Sequence, residues 1–599
     1  MDIFDILTLV CGLALFLFGM DVMGDALKKS AGRKLKTILG HLTSNRLKAF
    51  LLGLGVTAVI QSSSATTVMV VGFVNSGAML LRQAVGVIMG ANVGTAVTAW
   101  ITALNGIEGG GGATAWLIWL KPDAWMPILA LIGIGLILFS KRNRGKDLGS
   151  ILMGFAVLMV GMDLMSGAVS DLKGDPAFTR ILTMFQNPLL GILAGTALTA
   201  IVQSSSASVG ILQALSSTGA ISYGTAIPII MGQNIGTCVT ALISSAGASK
   251  NGKRAALVHL YFNVIGVAVW TGIYYLAGWL LNATGSFDLL SLAEGTAINM
   301  WGIAAVHTVF KLLSVLLLFP AAGLLEKLAV ATVRGDDKEG DPYTHLLDDR
   351  LLATPTVAVE RTRAVSGQMA SLSAEHLRRA LELLETYDRK AADEVRAAER
   401  RVDLYEDALG TYLVKLSAED MDPQDSHSVT MLLHIIGDIE RISDHSVNLL
   451  ESAEEMRDKE IGFSPEAAAE LRILRAAVAE IVTLTTDSLM QYDLETAARV
   501  EPLEQVIDGL CAEVKARHIR RLTRSACTVE HGFILSDILT NLERVSDHCS
   551  NVAGCLLEMS QRDGLGLHDY LGKVKAGGME FDLLFRQYRE TFALPEMRE

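Results

Sequence analysis

The chain has 599 residues, long enough for several domains, and its charge is concentrated in one part. The last 259 residues hold 48 of the 64 Asp and Glu residues, so the net charge of −13 comes from that part and argues against nucleic-acid binding. The six Cys residues form no CxxC pair, which favours neither a zinc site nor a disulfide framework, and all six are interpreted as small buried hydrophobic residues.

The first part of the chain is apolar and contains segments that are long enough to cross a bilayer, which takes about 20 residues. Seven candidates are residues 3–25, 83–104, 115–140, 148–168, 224–246, 255–282 and 298–326. Two further apolar stretches, 48–76 and 189–219, are interrupted near the middle by polar residues. Residues 3–25 follow no basic region and are interpreted as a retained membrane helix rather than a signal peptide.

Clusters of basic residues set the expected orientation. They lie at 28–46, 141–146, 253–254 and 327–334, and the positive-inside rule places all four in the cytoplasm. Seven crossings satisfy this rule only if each interrupted stretch is a re-entrant hairpin of two half-helices. We therefore expect a multi-pass protein of the cell inner (plasma) membrane, with the N-terminus outside and the acidic part in the cytoplasm.

A shift of 142 residues aligns the apolar part with itself, and 17 of 40 positions are identical from residue 61 to residue 100. The shared motifs are Gln-Ser-Ser-Ser-Ala at 61–65 and 203–207, and Asn-x-Gly-Thr-x-x-Thr at 92–98 and 234–240. The expected orientation makes the two copies inverted. Inverted repeats with broken helices are typical of secondary transporters, whose substrate site lies near the midplane between the copies.

The Gln-Ser-Ser-Ser motif suits an anion and a small cation. A half-helix has unpaired backbone N–H groups at its start, and these together with the helix dipole favour an oxyanion. Three hydroxyls add donors, and the Gln and Thr oxygens are neutral ligands for a small cation. The alternative is that Ser and Thr only join membrane helices to one another; duplication at both breaks argues against it.

These paired motifs resemble the bacterial form of the type II sodium–phosphate cotransporter family over about residues 5–325. The resemblance implies that phosphate contacts Gln61, Ser62, Ser63, Ser64, Ser204, Ser205 and Ser206. It implies sodium, as coupling ion, near Gln61, Gln203, Thr237 and Thr240. The aligned motifs add Asn92 and Asn234 to the predicted phosphate ligands, and Thr95 and Thr98 to the predicted sodium ligands.

Other polar membrane residues give weaker signals. Asp21 and Asp163 are duplicated near helix ends and are interpreted as caps or interface residues, with an ion-path role as the alternative. His307 and Lys311 lie one turn apart and are expected to face the bundle interior. Electrogenic animal members of the family use a membrane Asp in the first repeat for an extra sodium ion. This chain has no Asp or Glu between residues 25 and 108, so the stoichiometry is left open.

The expected fold is all-α, and the expected domains are a first membrane repeat (1–140), a second repeat with the final helices (141–330), a linker (331–350) and a soluble helical domain (351–599). Helical periodicity in the last of these predicts helices at 356–388, 390–417, 426–457, 464–490, 493–523, 529–560 and 577–592. The first six divide into two three-helix bundles.

The soluble domain is also duplicated, and its copies share Glu-x-x-x-Asp pairs that place two carboxylates one turn apart on a helix. Such pairs repel unless a cation lies between them, which predicts a hard or transition-metal site. The predicted ligands are Glu399, Asp403, Glu440, Asp444, Glu504, Asp508, Glu543 and Asp547. The alternative is a solvated acidic face neutralised by neighbouring arginines. The pattern resembles the PhoU family over about residues 350–560, which implies divalent or iron-type metal clusters and a role in regulating phosphate uptake.

The best-supported function is therefore a sodium-coupled phosphate transporter with a cytoplasmic regulatory domain, its direction left open between uptake and export. The alternative is a membrane-anchored phosphate-signalling protein that transports little. An enzyme is not expected, because no nucleophile triad, phosphate loop or nucleotide fingerprint is present. The expected partners are phosphate, sodium, lipid and phosphate-signalling proteins, and the family resemblance implies a homodimer.

Overall fold

The computed structural model describes residues 3–40, 45–107, 122–172, 176–284, 288–335, 347–560 and 579–596. Within these ranges nearly all regular structure is helical, and a single isolated β-bridge joins Ser222 to Ala297. This confirms the all-α fold class. The chain forms two compact units: Met1–Gly340 with Asp348–Thr354, and Asp341–Leu347 with Pro355–Glu599.

The first unit consists of sixteen described α-helices. They are α1 (Ile3–Gly40), α2 (Arg46–Ile60), α3 (Ser63–Asn75), α4 (Leu81–Gly94), α5 (Ala96–Ala103), α6 (Pro122–Phe139), α7 (Asn143–Val169), α8 (Pro176–Met184), α9 (Pro188–Val202), α10 (Ser205–Ser216), α11 (Tyr223–Gly236), α12 (Cys238–Ser244), α13 (Lys250–Ala283), α14 (Leu289–Gly295), α15 (Met300–Leu318) and α16 (Ala322–Thr332).

Six helical segments of the described residues are long and apolar enough to cross a membrane: Ile3–Ser30, Leu81–Gly106, Arg144–Val169, Tyr223–Ser244, Lys250–Ala283 and Met300–Leu318. They coincide with six of the seven predicted crossings, and the protein is a multi-pass membrane protein. The remaining candidate, 115–140, is described only from residue 122, where α6 begins. Both interrupted stretches are pairs of short helices, α2 with α3 and α9 with α10.

The long helices α1 and α7 pack against each other through glycines. A Cβ atom on Gly19 would lie 2.6 Å from the carbonyl oxygen of Gly154, and one on Gly12 would lie 2.8 Å from that of Gly161. Glycine permits this approach because it has no side chain. The 142-residue shift relates Gly12 to Gly154 and Gly19 to Gly161, so the two contacts exchange partners as a two-fold axis between the copies requires.

The second unit contains eight described helices: α17 (Pro355–Leu383), α18 (Arg389–Ser417), α19 (Pro423–Asp458), α20 (Pro465–Gln491), α21 (Leu494–Ala498), α22 (Val500–Thr523), α23 (Val529–Ser560) and α24 (Met579–Thr591). Helices α17, α18 and α19 pack together, as do α20, α22 and α23, and α19 contacts α23. The predicted helix at 493–523 is divided at Arg499.

The prediction that all six cysteines are buried was wrong for two of them. All six are free thiols, and four are buried, but Cys11 is exposed and Cys527 is partly exposed. Cys11 lies on α1, a membrane-span candidate of which little is buried within the protein. An apolar membrane helix needs no protein contact to cover its residues, because lipid does so.

Candidate functional site

Each Gln-Ser-Ser-Ser motif forms a sharp break between two half-helices. Gln61 ends α2 with φ 59° and ψ 18°, and Gln203 ends α9 with φ 54° and ψ 18°. This left-handed conformation is uncommon for residues other than Gly, and strain of this kind clusters at functional sites. The backbone N–H groups of the two glutamines donate to the backbone carbonyl oxygens of Thr57 and Thr199, each at 2.8 Å.

The serine after each glutamine is the N-cap of the returning half-helix. Ser62 Oγ accepts from the backbone N–H of Ala65 at 3.2 Å, and Ser204 Oγ accepts from Ala207 at 3.2 Å. By helix geometry, the N–H groups of the two residues after each cap precede the first helical hydrogen bond. Each break therefore offers backbone donors, further hydroxyls and the positive end of a helix dipole in one place.

Both breaks line one cavity of about 450 Å³ in the first unit. Its lining includes all eight residues of the two motifs: Gln61, Ser62, Ser63, Ser64, Gln203, Ser204, Ser205 and Ser206. The rest of the lining is Leu17, Phe18, Met20, Asp21, Gly24, Asp25, Lys28 and Ile60. Residues 142 positions apart in sequence thus share one polar space, whose other wall is α1.

The predicted sodium ligands differ between the copies. Thr98 Oγ1 donates to Gln61 Oε1 at 2.8 Å, so α5 contacts the first break directly. In the second copy Thr240 Oγ1 is buried and has no hydrogen-bond partner among the described residues. An unpaired buried hydroxyl is costly, so the oxygen of Thr240 is available to an ion.

The other predicted ligands, like Thr98 and Thr240, lie outside the cavity lining. Asn92 Nδ2 donates to Ile88 O and Asn234 Nδ2 to Ile230 O, each within its own helix. Thr95 and Thr237 bond backbone oxygens in the same way, at 3.1 and 2.7 Å. They stand at the junctions of α4 with α5 and of α11 with α12. The sequence predicted unbroken crossings at 83–104 and 224–246, and these junctions were not predicted.

Asp21 and Asp163 occupy different environments despite their repeat relationship. Asp163 accepts a hydrogen bond from Asn105 at 2.7 Å, which fits the predicted interface role. Asp21 instead lines the cavity with both serine motifs. The difference is visible in the sequence, because the position related to Asn105 is Gly247, which has no side chain to bond Asp21.

The second unit brings six of the eight predicted metal ligands into two groups. One consists of Glu399, Asp403 and Asp444, and the other of Glu504, Asp508 and Asp547; each group offers oxygens within 4.8 Å of one another. Glu440 and Glu543 belong to neither group. Burial, followed by repulsion from Asp444 and Asp403, raises the pKa of Glu440 to about 7. Burial, followed by repulsion from neighbouring carboxylates, also raises the pKa of Glu399 and of Asp403, and the oxygen donors of the first group suit a hard cation.

Comparison with known proteins agrees with this architecture. The sequence model of the Na+/Pi-cotransporter family matches residues 15–167 and 157–281, one match per repeat, and that of the PhoU domain matches 367–453 and 471–556. A Bacillus subtilis protein, "Uncharacterized protein YqeW", is 30% identical over 316 residues, which cover 52% of this chain and 93% of YqeW. The chain belongs to the Na+/Pi-cotransporter family.

Two further relatives have names that refer to phosphate transport. The Salmonella typhimurium protein named "Putative inorganic phosphate export protein YjbB" is 26% identical over 575 residues, which cover 93% of this chain and 98% of YjbB. Mouse sodium-dependent phosphate transport protein 2A is 24% identical over 378 residues, which cover 43% of this chain and 59% of the mouse protein. YjbB thus matches both units of this chain, which combines a cotransporter core with PhoU-domain repeats.

Proposed function

We propose that this protein is a secondary transporter that couples inorganic phosphate to sodium through its first unit, here called the membrane unit, and that its second unit, here called the soluble unit, regulates transport. The observation that carries the proposal is the single cavity lined by both Gln-Ser-Ser-Ser breaks. Two inverted copies that share one site can exchange conformations and so expose the site to either side in turn.

The cavity has the chemistry that recognises a tetrahedral oxyanion. Two half-helix N-termini supply backbone donors and dipoles, and the serines supply hydroxyls that rotate to suit the anion. Neither interrupted stretch, 48–76 or 189–219, contains an Arg, so the anion charge is balanced by co-bound cations. Sodium fills this role; Gln61 and Asp21 offer it oxygens in the cavity lining, and Thr240 offers an unpaired buried hydroxyl outside that lining.

The ion gradients set the direction of transport, whereas the residues that line the cavity indicate the side of the membrane to which it opens. The cavity lining includes Asp25 and Lys28, an ion pair with 2.7 Å between Nζ and Oδ1. Lys28 belongs to the first basic cluster, which the positive-inside rule places in the cytoplasm. We therefore infer that this conformation opens to the cytoplasm.

The soluble unit would sense ions through its two carboxylate groups. A divalent cation between Glu399, Asp403 and Asp444 would offset the repulsion from Asp444 and Asp403 that adds to burial in raising the pKa of Glu440. Metal analysis of the full-length protein tests this idea. We expect bound metal in the parent and less in a variant with Asp444→Ala and Asp547→Ala; a metal-free parent would rule out the metal site.

Phosphate flux into proteoliposomes, with and without an inward sodium gradient, tests the transport proposal. We expect sodium-driven flux in the parent, weaker phosphate affinity in Ser205→Ala and weaker sodium dependence in Thr240→Ala. Ser217→Ala, at the far end of α10, is the matched control and should behave as the parent. Equal flux in all four proteins, or flux indifferent to sodium, would contradict the proposal.

The PhoU-domain repeats favour a second candidate function, that of a membrane-anchored phosphate-signalling protein. Its core would bind phosphate with the same residues but would not carry it across. The same vesicles distinguish the two functions, since phosphate binding that Ser205→Ala weakens, without any flux in the parent, would support the signalling protein.

A further inference from the structure

The segment Asp348–Thr354, here called the strap, packs on the membrane unit although it directly precedes α17 of the soluble unit. Leu351 in the strap is fully buried, and Asp348 is 3% exposed. A Cβ atom on Gly72 of α3 would lie 3.1 Å from Leu351 Cδ2, so the leucine lies on a flat surface of that half-helix. A flexible tether between units would not need a buried leucine and a buried carboxylate.

Polar contacts join the strap to both copies of the membrane repeat. Asn75, the last residue of α3, donates from Nδ2 to Asp348 Oδ2 at 2.6 Å. Arg350 Nε donates to the backbone oxygen of Ser244, the last residue of α12, at 2.8 Å. Helix α3 belongs to the first repeat and α12 to the second, so the strap bridges the two repeats.

The bridge is held together by its own ion pair and by a direct contact between the repeats. Arg350 Nη1 lies 2.9 Å from Asp348 Oδ2. The Ser249 N–H, at the N-cap of α13, donates to Asn75 Oδ1 at 2.6 Å, so Asn75 bonds the strap and the second repeat together. Because the Asp348 carboxylate is buried, loss of Arg350 would leave it poorly compensated and favour its return to water.

The strap also lies at one end of the helix whose other end lines the cavity. Helix α3 begins at Ser63 and ends at Asn75, and at 1.5 Å per residue it spans roughly 18 Å. A helix of this length transmits a displacement with little bending. The strap is therefore bonded to the same helix that carries Ser63 and Ser64 of the first break.

We propose that the strap is a releasable brake on transport, which holds α3 against the second repeat until the soluble unit withdraws it. This proposal rests on the proposed transport function. Alternating access changes the contacts between inverted repeats, and a segment bonded to both of them stabilises only one conformation. A transporter held in one conformation turns over slowly, so release of the strap raises the rate.

The test compares sodium-driven phosphate flux in the full-length protein and its variants in vesicles. We expect Arg350→Ala and Leu351→Ala to raise the flux about fivefold or more, the range of ordinary allosteric coupling. Arg334→Ala is the matched control, because this exposed arginine bonds only the carbonyl of Ala331 among the described residues. A merely structural strap would give unchanged or lower flux in both strap variants, and that result would overturn the proposal.

A second arm fixes the strap in place instead of releasing it. Asn75→Cys combined with Asp348→Cys, joined by a short bifunctional thiol reagent, should lower the flux about fivefold or more. A reductant that cleaves the reagent should restore it. The two single-cysteine variants treated alike are the controls. Full flux in the cross-linked protein would overturn the proposal.

A third arm separates failure of the brake from failure of the transport function. If the parent carries no sodium-driven flux, the transport proposal fails, and labelling of Thr354→Cys, at a buried position of the strap, still reports on it in a background from which the exposed Cys11 and the partly exposed Cys527 have been removed. The thiol should react slowly alone and about fivefold faster when Arg350→Ala is added. Equal labelling rates would show that Arg350 does not hold the strap, which overturns the proposal.

Discussion

The membrane unit and the soluble unit are both internal duplications, but they use their copies differently. In the membrane unit the two serine motifs line one cavity, so neither copy forms that cavity alone. In the soluble unit each copy gathers its own carboxylate group. The difference follows from where the chemistry lies: the membrane motifs meet between the copies, whereas each carboxylate group lies between helices of one bundle. A shared site couples the copies through one ligand, whereas separate sites do not, although α19 and α23 still contact each other.

The largest loss of stability is expected at the contact between α1 and α7, which joins the two copies of the membrane unit. We expect Gly154→Ala to cost about 3 kcal/mol or more, because the new Cβ would lie 2.6 Å from the backbone nitrogen of Met23, which cannot move aside. Gly167→Ala on the same helix is the control, since no atom lies within 4 Å of its Cβ position. Thermal unfolding of the purified protein in detergent measures both. Equal midpoints would mean that the two copies are not held together at this contact.

Paired serine substitutions test whether the membrane copies share one ligand. Removing a hydroxyl that donates to an anion costs about 1.5–3 kcal/mol, so Ser63→Ala or Ser205→Ala should weaken phosphate binding about tenfold or more. Because both serines would bind the same ion, the double variant should deviate from the product of the single effects. Equilibrium binding of radiolabelled phosphate measures the three constants. Effects that multiply would mean two independent sites.

The residues explain which parts of the site the sequence could predict. The helix breaks at Gln61 and Gln203 were predictable, because polar residues interrupt an apolar run at the same place in each copy. The junctions at Thr95 and Thr237 were not, because threonines that bond their own helix leave the apolar pattern intact. The predicted soluble helices follow the structure closely, since turn residues such as Pro423 and Pro465 mark their starts.

Asp21 shows what a repeat alone cannot predict. Identical residues in two copies suggested one role, and the structure gives them two, because Asp163 bonds Asn105 while the residue related to Asn105 is Gly247. The role of a duplicated residue therefore depends on whether its partner is duplicated too. Comparison of the partner positions would have separated the two aspartates without a structure.

Two threonines sharpen the comparison between the membrane copies. Thr98→Ala removes the donor to Gln61 Oε1 and should cost about 1 kcal/mol of stability. Thr240→Ala removes a buried hydroxyl that has no partner among the described residues, so its stability in sodium-free buffer should equal or exceed that of the parent. Unfolding midpoints without and with sodium measure both. A large loss of stability for Thr240→Ala without sodium would mean that the hydroxyl has a structural partner.

The carboxylates of the soluble unit give the smallest expected effect, through pH. The pKa of Glu440 is about 7 in the folded protein and ordinary when unfolded, so the folded state binds the extra proton. Its contribution is therefore favourable below the ordinary pKa and is lost as the pH rises through 7. At pH 8 we expect Glu440→Gln to stabilise the bundle by roughly 0.5 kcal/mol after solvent screening, and near pH 4 to change its stability little.

Hydrogen–deuterium exchange of α18 and α19 in the full-length protein, compared with the parent at each pH in a chelating buffer, measures the local effect. Exchange in α22 and α23 should not change, because the second carboxylate group belongs to the other bundle; a matching change there would show that the two soluble copies are coupled after all.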